Sequence, residues 1–340
     1  MKPYLTFKPI APDNGFRMDD YWIWCPSVVR GPEGRYHMFA SRWPKRLPFH
    51  PGWLTHSEVV RAVADREEGP YAFAEVVLPR RGPEYWDGRT THNPTVREFN
   101  GRYYLYYMGT TYPFPRPSED EDLPKSDPRA VVARWRKRIG MAWADSPEGP
   151  WHRSDEPILY TKPGTFYNFL TSNPAPWIDP ETGAVKMVFK SRIYDGDSHG
   201  PMKLGLAVAD WPEGPYSVVG DRPLFEDGLF DELEDPFLWR EGGRFHLVAK
   251  DMRGTTTGQK GGAVHAVSED SQRWEQGQPV VAWQKSIPFE DGTRMACGSM
   301  ERPFLIGDGE KHTHLCAAVS DGTANFRDAR NTWNAVIPLQ

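Results

Sequence analysis

The sequence has little cysteine, no long apolar run and no marked excess of one charge. Its three cysteines, Cys25, Cys297 and Cys316, stand far apart. An odd count without close spacing argues against a disulfide framework and against a zinc site. The opening residues, MKPYLTFKPIAPDNG, lack the apolar core of a signal peptide, and no stretch reaches the length of a membrane helix. A cytoplasmic protein is expected, unless a leader has been removed. A net charge of −5 over 340 residues gives no reason to expect nucleic acid or an anionic membrane as partner. Long amphipathic helical patterns are scarce. An acidic calcium loop of the D-x-[DN]-x-[DN]-G type is also missing.

Turn formers and aromatics are plentiful instead. The 33 prolines and 31 glycines punctuate short apolar runs, a pattern of many short strands. Aromatics reach 13%, with 14 tryptophans. Most are expected in β cores, and some as platforms for sugar rings.

Five segments repeat one another: CPSVVRGPEGRYHMFASR, NPTVREFNGRYYLYYMGT, NPAPWIDPETGAVKMVFKSR, DPFLWREGGRFHLVAKDM and RPFLIGDGEKHTHLCAAVSD. Each has a polar or small residue, a proline, an apolar run, a turn and an alternating strand, which together spell a β-hairpin. The prolines stand at 26, 94, 174, 236 and 303, at intervals of 68, 80, 62 and 67 residues. A third strand follows in VVRAVADREEGPY, RIGMAWADSPEGPW and LGLAVADWPEGPY, and more weakly in VHAVSEDSQRW. Outer strands are expected around VVLP, PILY, RPLF and PVVAW. Four strands at this period make a propeller blade. The residues before Pro26 and after Pro303 together equal the shortest interval, 62. The segment YLTFKPI can therefore complete the last blade, closing the ring and removing a free sheet edge. The expectation is an all-β, five-bladed β-propeller occupying residues 1–340 as one domain. A Pro- and charge-rich insertion at 113–136 is expected on the surface of the second blade. It reads as a flexible loop, with a lid or subunit contact as the alternative.

In a propeller the inner strands begin around the axis, so the residues before each proline converge there. These pairs are Trp24-Cys25, His92-Asn93, Ser172-Asn173, Glu234-Asp235 and Glu301-Arg302. Asp235 closes the acidic run Asp231-Glu232-Leu233-Glu234-Asp235. Asp87, shortly before the second-blade strand, belongs to the same end. So do Arg42, Arg192 and Asp251 at the ends of second strands, and Trp43 as a stacking surface. Each has a plainer reading as a cap, an inter-blade ion pair or a satisfied core group.

The x-Pro starts, the GRYYLYY strand and the SPEGPW turn resemble the five-bladed glycoside hydrolases of families 43 and 117, with families 32, 62 and 68 as relatives. The likeness covers nearly the whole chain. It implies a glycosidase using two carboxylates, one protonating the leaving oxygen and the other activating water or attacking the sugar. Family 43 writes its acid as Glu-x-Pro, which selects Glu234. Its other two acidic positions are Cys25 and Asn173 here, so the base falls to Asp20, beside Asp19 in RMDDYWIWCP. The remaining convergent residues (Asp235, Asp19, Trp24, Arg42, Trp43, Asp87, His92, Asn93, Asn173, Arg192, Asp251, Glu301 and Arg302) are expected to bind substrate. No cofactor is expected. Some relatives hold an axial calcium with a fifth-blade histidine, for which His314 would be the candidate. The expected partner is an oligosaccharide, cut from its end, and the oligomeric state is open. Two alternatives stand beside hydrolysis. One is a phosphorylase resembling family 130, with arginines holding phosphate or, equally, an acidic sugar. The other is a sugar-binding propeller without catalysis.

Overall fold

A computed structural model describes residues 2–121, 123–124, 126–307 and 311–340. Blade 1 contains β1 (Tyr21–Arg30), β2 (Tyr36–Pro44), β3 (Glu58–Ala64) and β4 (Ala72–Leu78), with helix α1 (Phe49–His56) between β2 and β3. Blade 2 contains β5 (Thr90–Phe99), β6 (Arg102–Thr110), β7 (Arg138–Ala144) and β8 (His152–Arg153), with helix α2 (Pro128–Trp135) between β6 and β7. Blade 3 is β9 (Leu170–Ile178), β10 (Val185–Arg192), β11 (Met202–Ala209) and β12 (Ser217–Val218). Blade 4 is β13 (Leu233–Glu241), β14 (Arg244–Asp251), β15 (Gly262–Ser268) and β16 (Glu275–Trp283). A short hairpin, β17 (Ser286–Pro288) and β18 (Arg294–Ala296), leads to β19 (Ser299–Gly307), β20 (His312–Ser320) and β21 (Thr332–Pro338) of blade 5.

Every blade is an antiparallel meander, and its two faces pack against the neighbouring blades. Alternating residues of β2, β6, β10 and β14 are therefore buried on both sides, and the strands read as nearly continuous apolar runs. The outer edge is less regular. In blades 2 and 3 the predicted PILY and RPLF segments add only single bridges, Ile139 with Leu159 and Leu204 with Leu224.

Ring closure uses the N-terminal segment, as the repeat arithmetic requires. Phe7 bridges Leu339 and Phe16 bridges Asn334. The same segment also reaches the neighbouring blade, where the amides of Tyr4 and Leu5 bond the Val281 and Ala282 carbonyls of β16. The Asn14 side chain ties this segment to Val336 at both its N–H and its C=O.

The five strand starts share one unusual backbone. Cys25, Asn93, Asn173, Asp235 and Arg302 have φ between 51° and 57°. In each case the pairing register slips by a bulge around the x-Pro pair. Left-handed φ costs an L-residue roughly 1–2 kcal/mol, least for Asn and Asp. The bulge breaks strict side-chain alternation. In four of the pairs the first residue faces the mouth of the ring and the next faces the axis; in the third, Ser172 instead donates to Asn173 Oδ1 at 2.6 Å.

The segment expected as a surface loop is partly helical and packs inward. Asp127 caps α2 by accepting from the Arg129 amide at 2.8 Å, and Pro128 occupies the first turn. Ala130 and Ala133 bury against Leu54, Tyr112 and Leu123. This seats α2 beside α1, at the rim of the mouth.

No helix among the described residues is long and apolar enough to cross a membrane.

Candidate active site

A cavity of about 200 Å³ lies at the mouth of the ring. A narrow axial channel of about 30 Å³ lies beneath it, between the five prolines. The two tiers divide the strand-start pairs. Trp24, His92, Glu234 and Glu301 line the cavity, whereas Cys25, Asn93, Asn173 and Asp235 line the channel. Arg302 borders both.

One wall of the cavity is aromatic. The Phe49 ring from α1 packs against Trp24 and Trp43, each at 4.9 Å, and against Phe326 at 4.7 Å. Trp53 stacks on His92 at 4.9 Å. His92 Nδ1 lies 2.7 Å from Ser57 Oγ. Burial, then the charges of Arg302, Lys137 and Lys190, holds its pKa well below the ordinary value, so the ring is neutral.

The opposite wall is cationic. Arg134 and Lys137 come from α2 and the residues after it, Lys190 and Arg192 from β10, and Lys250 from β14. With Arg302, six cationic side chains face only two carboxylates, Glu234 and Glu301. Lys190 and Arg192 share one face of β10 by the two-residue period. Lys250 stands directly across the sheet from Glu234.

Glu234 forms an ion pair with Lys190 and lies 3.7 Å from Lys250. Glu301 lies 2.6 Å from the same Lys250 Nζ, so one ammonium joins the two carboxylates. Burial alone would raise the Glu234 pKa, but Lys190, Lys250 and Arg302 outweigh it and hold it well below the usual carboxylate range. Beneath, Asp235 accepts from Asn173 Nδ2 at 2.6 Å and pairs with Arg302 at 2.5 Å. Burial raises its carboxyl against the pull of Arg302. Cys25 Sγ accepts from Asn93 Nδ2 at 3.3 Å. Burial pushes its thiol up to about 12, so it stays protonated.

Several predicted site residues lie elsewhere. Asp19 and Asp20 are exposed in the turn before β1, outside the cavity lining. Arg42 is held by Glu58 at 2.9 Å, over the rings of Tyr21 and Phe73. Asp87 is buried away from the cavity and binds Arg81 at 2.8 Å, Arg153 at 2.6 Å and Tyr107 Oη at 2.6 Å. Asp251 staples its own loop, accepting from the amides of Gly254, Thr256 and Thr257. His314 faces Glu67 at 2.9 Å and Glu68 at 3.3 Å, away from the axis. Arg42, Asp87, Asp251 and His314 each have a local partner away from the mouth.

Sequence reasoning missed Arg134, Lys137, Lys190, Lys250, Trp53 and Phe326. A signal existed for two of them, because Lys190 and Lys250 are charges set inside the apolar runs MVFKSR and LVAKDM. Arg134 and Lys137 had none, since their place depends on how the insertion folds back.

By sequence, no protein-family profile and no curated protein matches the chain. Solved structures do. The family 117 glycoside hydrolase Zg3597 from the marine bacterium Zobellia galactanivorans superposes with a TM-score of 0.66 at 17% identity, over 98% of this chain and 90% of its own. CoXyl43, a family 43 β-xylosidase/α-arabinofuranosidase from a compost metagenome solved with xylotriose, gives 0.62 at 14%, over 99% and 95%. An endo-arabinase from Bacteroides thetaiotaomicron gives 0.58 at 13%, over 98% of each chain. The chain therefore has the five-bladed β-propeller fold seen in glycoside hydrolases of families 117 and 43.

Proposed function

We propose that the protein cleaves glycosidic bonds of short oligosaccharides, acting from the chain end. The observation that carries this reading is the pair Glu234 and Glu301. Blades 4 and 5 each contribute one buried carboxylate, and both sit on Lys250 in a cavity with an aromatic wall. Glycoside cleavage needs two carboxyl groups flanking the scissile bond, one donating a proton. Glu234 is the acid in this reading, in keeping with its Glu-x-Pro motif. Glu301 replaces Asp20 as the second carboxylate, and Arg302, His92 and Trp24 border the sugar. At rest the lysines keep Glu234 ionised. The acid role therefore requires a substrate that takes over Lys190 or Lys250, so that Glu234 can collect a proton. The lower channel, of only about 30 Å³, is too narrow to take a sugar ring, and a cavity that narrows in this way suits a terminal sugar.

The excess of cations favours a second reading, in which free phosphate replaces the activated water. Turnover of an oligosaccharide panel with and without phosphate separates the two. Under the first reading, cleavage is phosphate-independent and falls by about 10²-fold or more in both Glu234→Gln and Glu301→Gln. Full activity in either variant would remove that residue from the mechanism. Sugar binding without any cleavage would make the propeller a binding protein.

A further inference from the structure

Among the described residues, three of the cavity's cations have no carboxylate in ion-pair range: Arg134, Lys137 and Arg192. Arg134 donates to the Nε2 of His199 at 3.2 Å. Arg192 donates to the carbonyls of His199 and Gly200 at 2.8 and 2.5 Å. Lys137 is only 3% exposed, and its Nζ lies 5.0 Å from the centre of the Trp53 ring. Among the described residues it has no hydrogen-bond acceptor and no carboxylate in ion-pair range. Lys190, beside them, is committed to Glu234.

A buried cation with no carboxylate paired to it costs several kcal/mol, and like charges gathered in one cavity add to that cost. Apolar residues would fill the buried positions of Arg134 and Lys137 more stably. The arrangement makes physical sense if an anion completes it. The opposite aromatic wall, meanwhile, suits the face of a ring. We propose that Arg134, Lys137 and Arg192 form an oxyanion subsite that takes the acidic substituent, a carboxylate or sulfate, of the sugar in the cavity. This rests on the glycosidase reading and narrows its substrate to acidic oligosaccharides. It also gives the insertion between β6 and β7 a purpose, because the insertion supplies Arg134 and Lys137. An anion here lies near Lys190 and competes with Glu234 for it.

The test is equilibrium binding to the full chain, read by titration calorimetry and thermal shift. The probes are a hexuronic acid, the matching neutral hexose, inorganic sulfate and inorganic phosphate. Binding is read without turnover, so it stands or falls separately from hydrolysis. The hexuronic acid should bind at least about 10-fold tighter than the hexose, as one charge-assisted contact implies. Lys137→Met should weaken it by about 10- to 100-fold while raising the Tm of the unliganded protein. Lys137→Arg should restore binding. Arg134→Gln provides a second charge deletion if the first variant folds poorly. Phosphate bound through Lys137 with no preference for the hexuronic acid over the hexose would assign these cations to free phosphate and overturn the proposal. Equal binding of acid and neutral sugar, or affinities unmoved by both deletions, overturns the proposal.

Discussion

Replacing Lys190 by methionine should move the protonation of Glu234 upward by about 2–3 pH units. The side chain is nearly isosteric, so the cavity keeps its shape while one of the two ammonium groups on Glu234 disappears. A unit charge pair near 4 Å is worth about 4 kcal/mol at an effective dielectric of 20, and one pKa unit is about 1.4 kcal/mol. Water entering the gap returns part of that. Lys250, at 3.7 Å, and Arg302 still favour the carboxylate, whereas burial favours the neutral acid. The direction is therefore upward and the size is set by the missing lysine. The shift should appear in a carbon-13 NMR titration of the glutamate carboxyls, with Glu234→Gln identifying the resonance. Under the proposed glycosidase reading it should appear as a higher pH limit for activity, because a general acid must be protonated to work. A bound hexuronic acid should move the same resonance in the same direction. A shift below about half a unit, or one downward, would mean that Lys190 does not set the charge of Glu234, and the gating role given to the lysines would fail.

Two further outcomes test the remaining assignments. Asp87→Asn should cost about 3–5 kcal/mol by leaving Arg153 without its carboxylate, while Arg81 keeps Asp155, lowering Tm by several degrees while KM stays unchanged; an altered KM with normal stability would return Asp87 to the substrate site. Burial, followed by the charge of His246, lowers His265 to about 4. The folded state then binds fewer protons than the unfolded chain between pH 4 and 6.5, so stability should rise with pH across that window and be lost on acidification. His265 stacks on Tyr4 of the closing segment at 3.8 Å, and denaturant unfolding of His265→Phe at pH 4.5 and 7 should show a smaller difference than the wild type.

The ring was legible because its determinants are local and repeated. A proline, a short apolar run and a turn recur five times, and each copy forms a hairpin from residues close together in sequence. The convergence of the strand starts followed from the same repeat. The division of four of the pairs between cavity and channel did not, because it depends on a left-handed residue. Only Asn93, Asn173 and Asp235 are types that favour that conformation, whereas Cys25 and Arg302 are not. Two of the misplaced acids have a common cause as well. Asp87 and Asp251 lie near strand ends in the sequence, but a carboxylate accepts whatever donor lies closest, and Asp20 stays exposed in its turn. Asp251 found three amides of its own loop, and Asp87 found two arginines. Lys137 was invisible for the converse reason. It reaches the cavity through the packing of α2 against α1, a contact between segments some 75 residues apart that no local pattern encodes.

The five left-handed strand starts make the axis a set of interchangeable seats. The bulge and the proline fix the backbone of each seat, and the side chain there is free to vary within that frame, as the present occupants Cys, Asn, Asn, Asp and Arg show. Chemistry can be exchanged at the axis without disturbing a blade. An aspartate at position 25 would enter a conformation that already suits it, so a propeller of this kind can acquire or shed an axial carboxylate in a single substitution. A likeness of fold in such a ring thus reflects the frame, while the side chains at its axis can differ seat by seat.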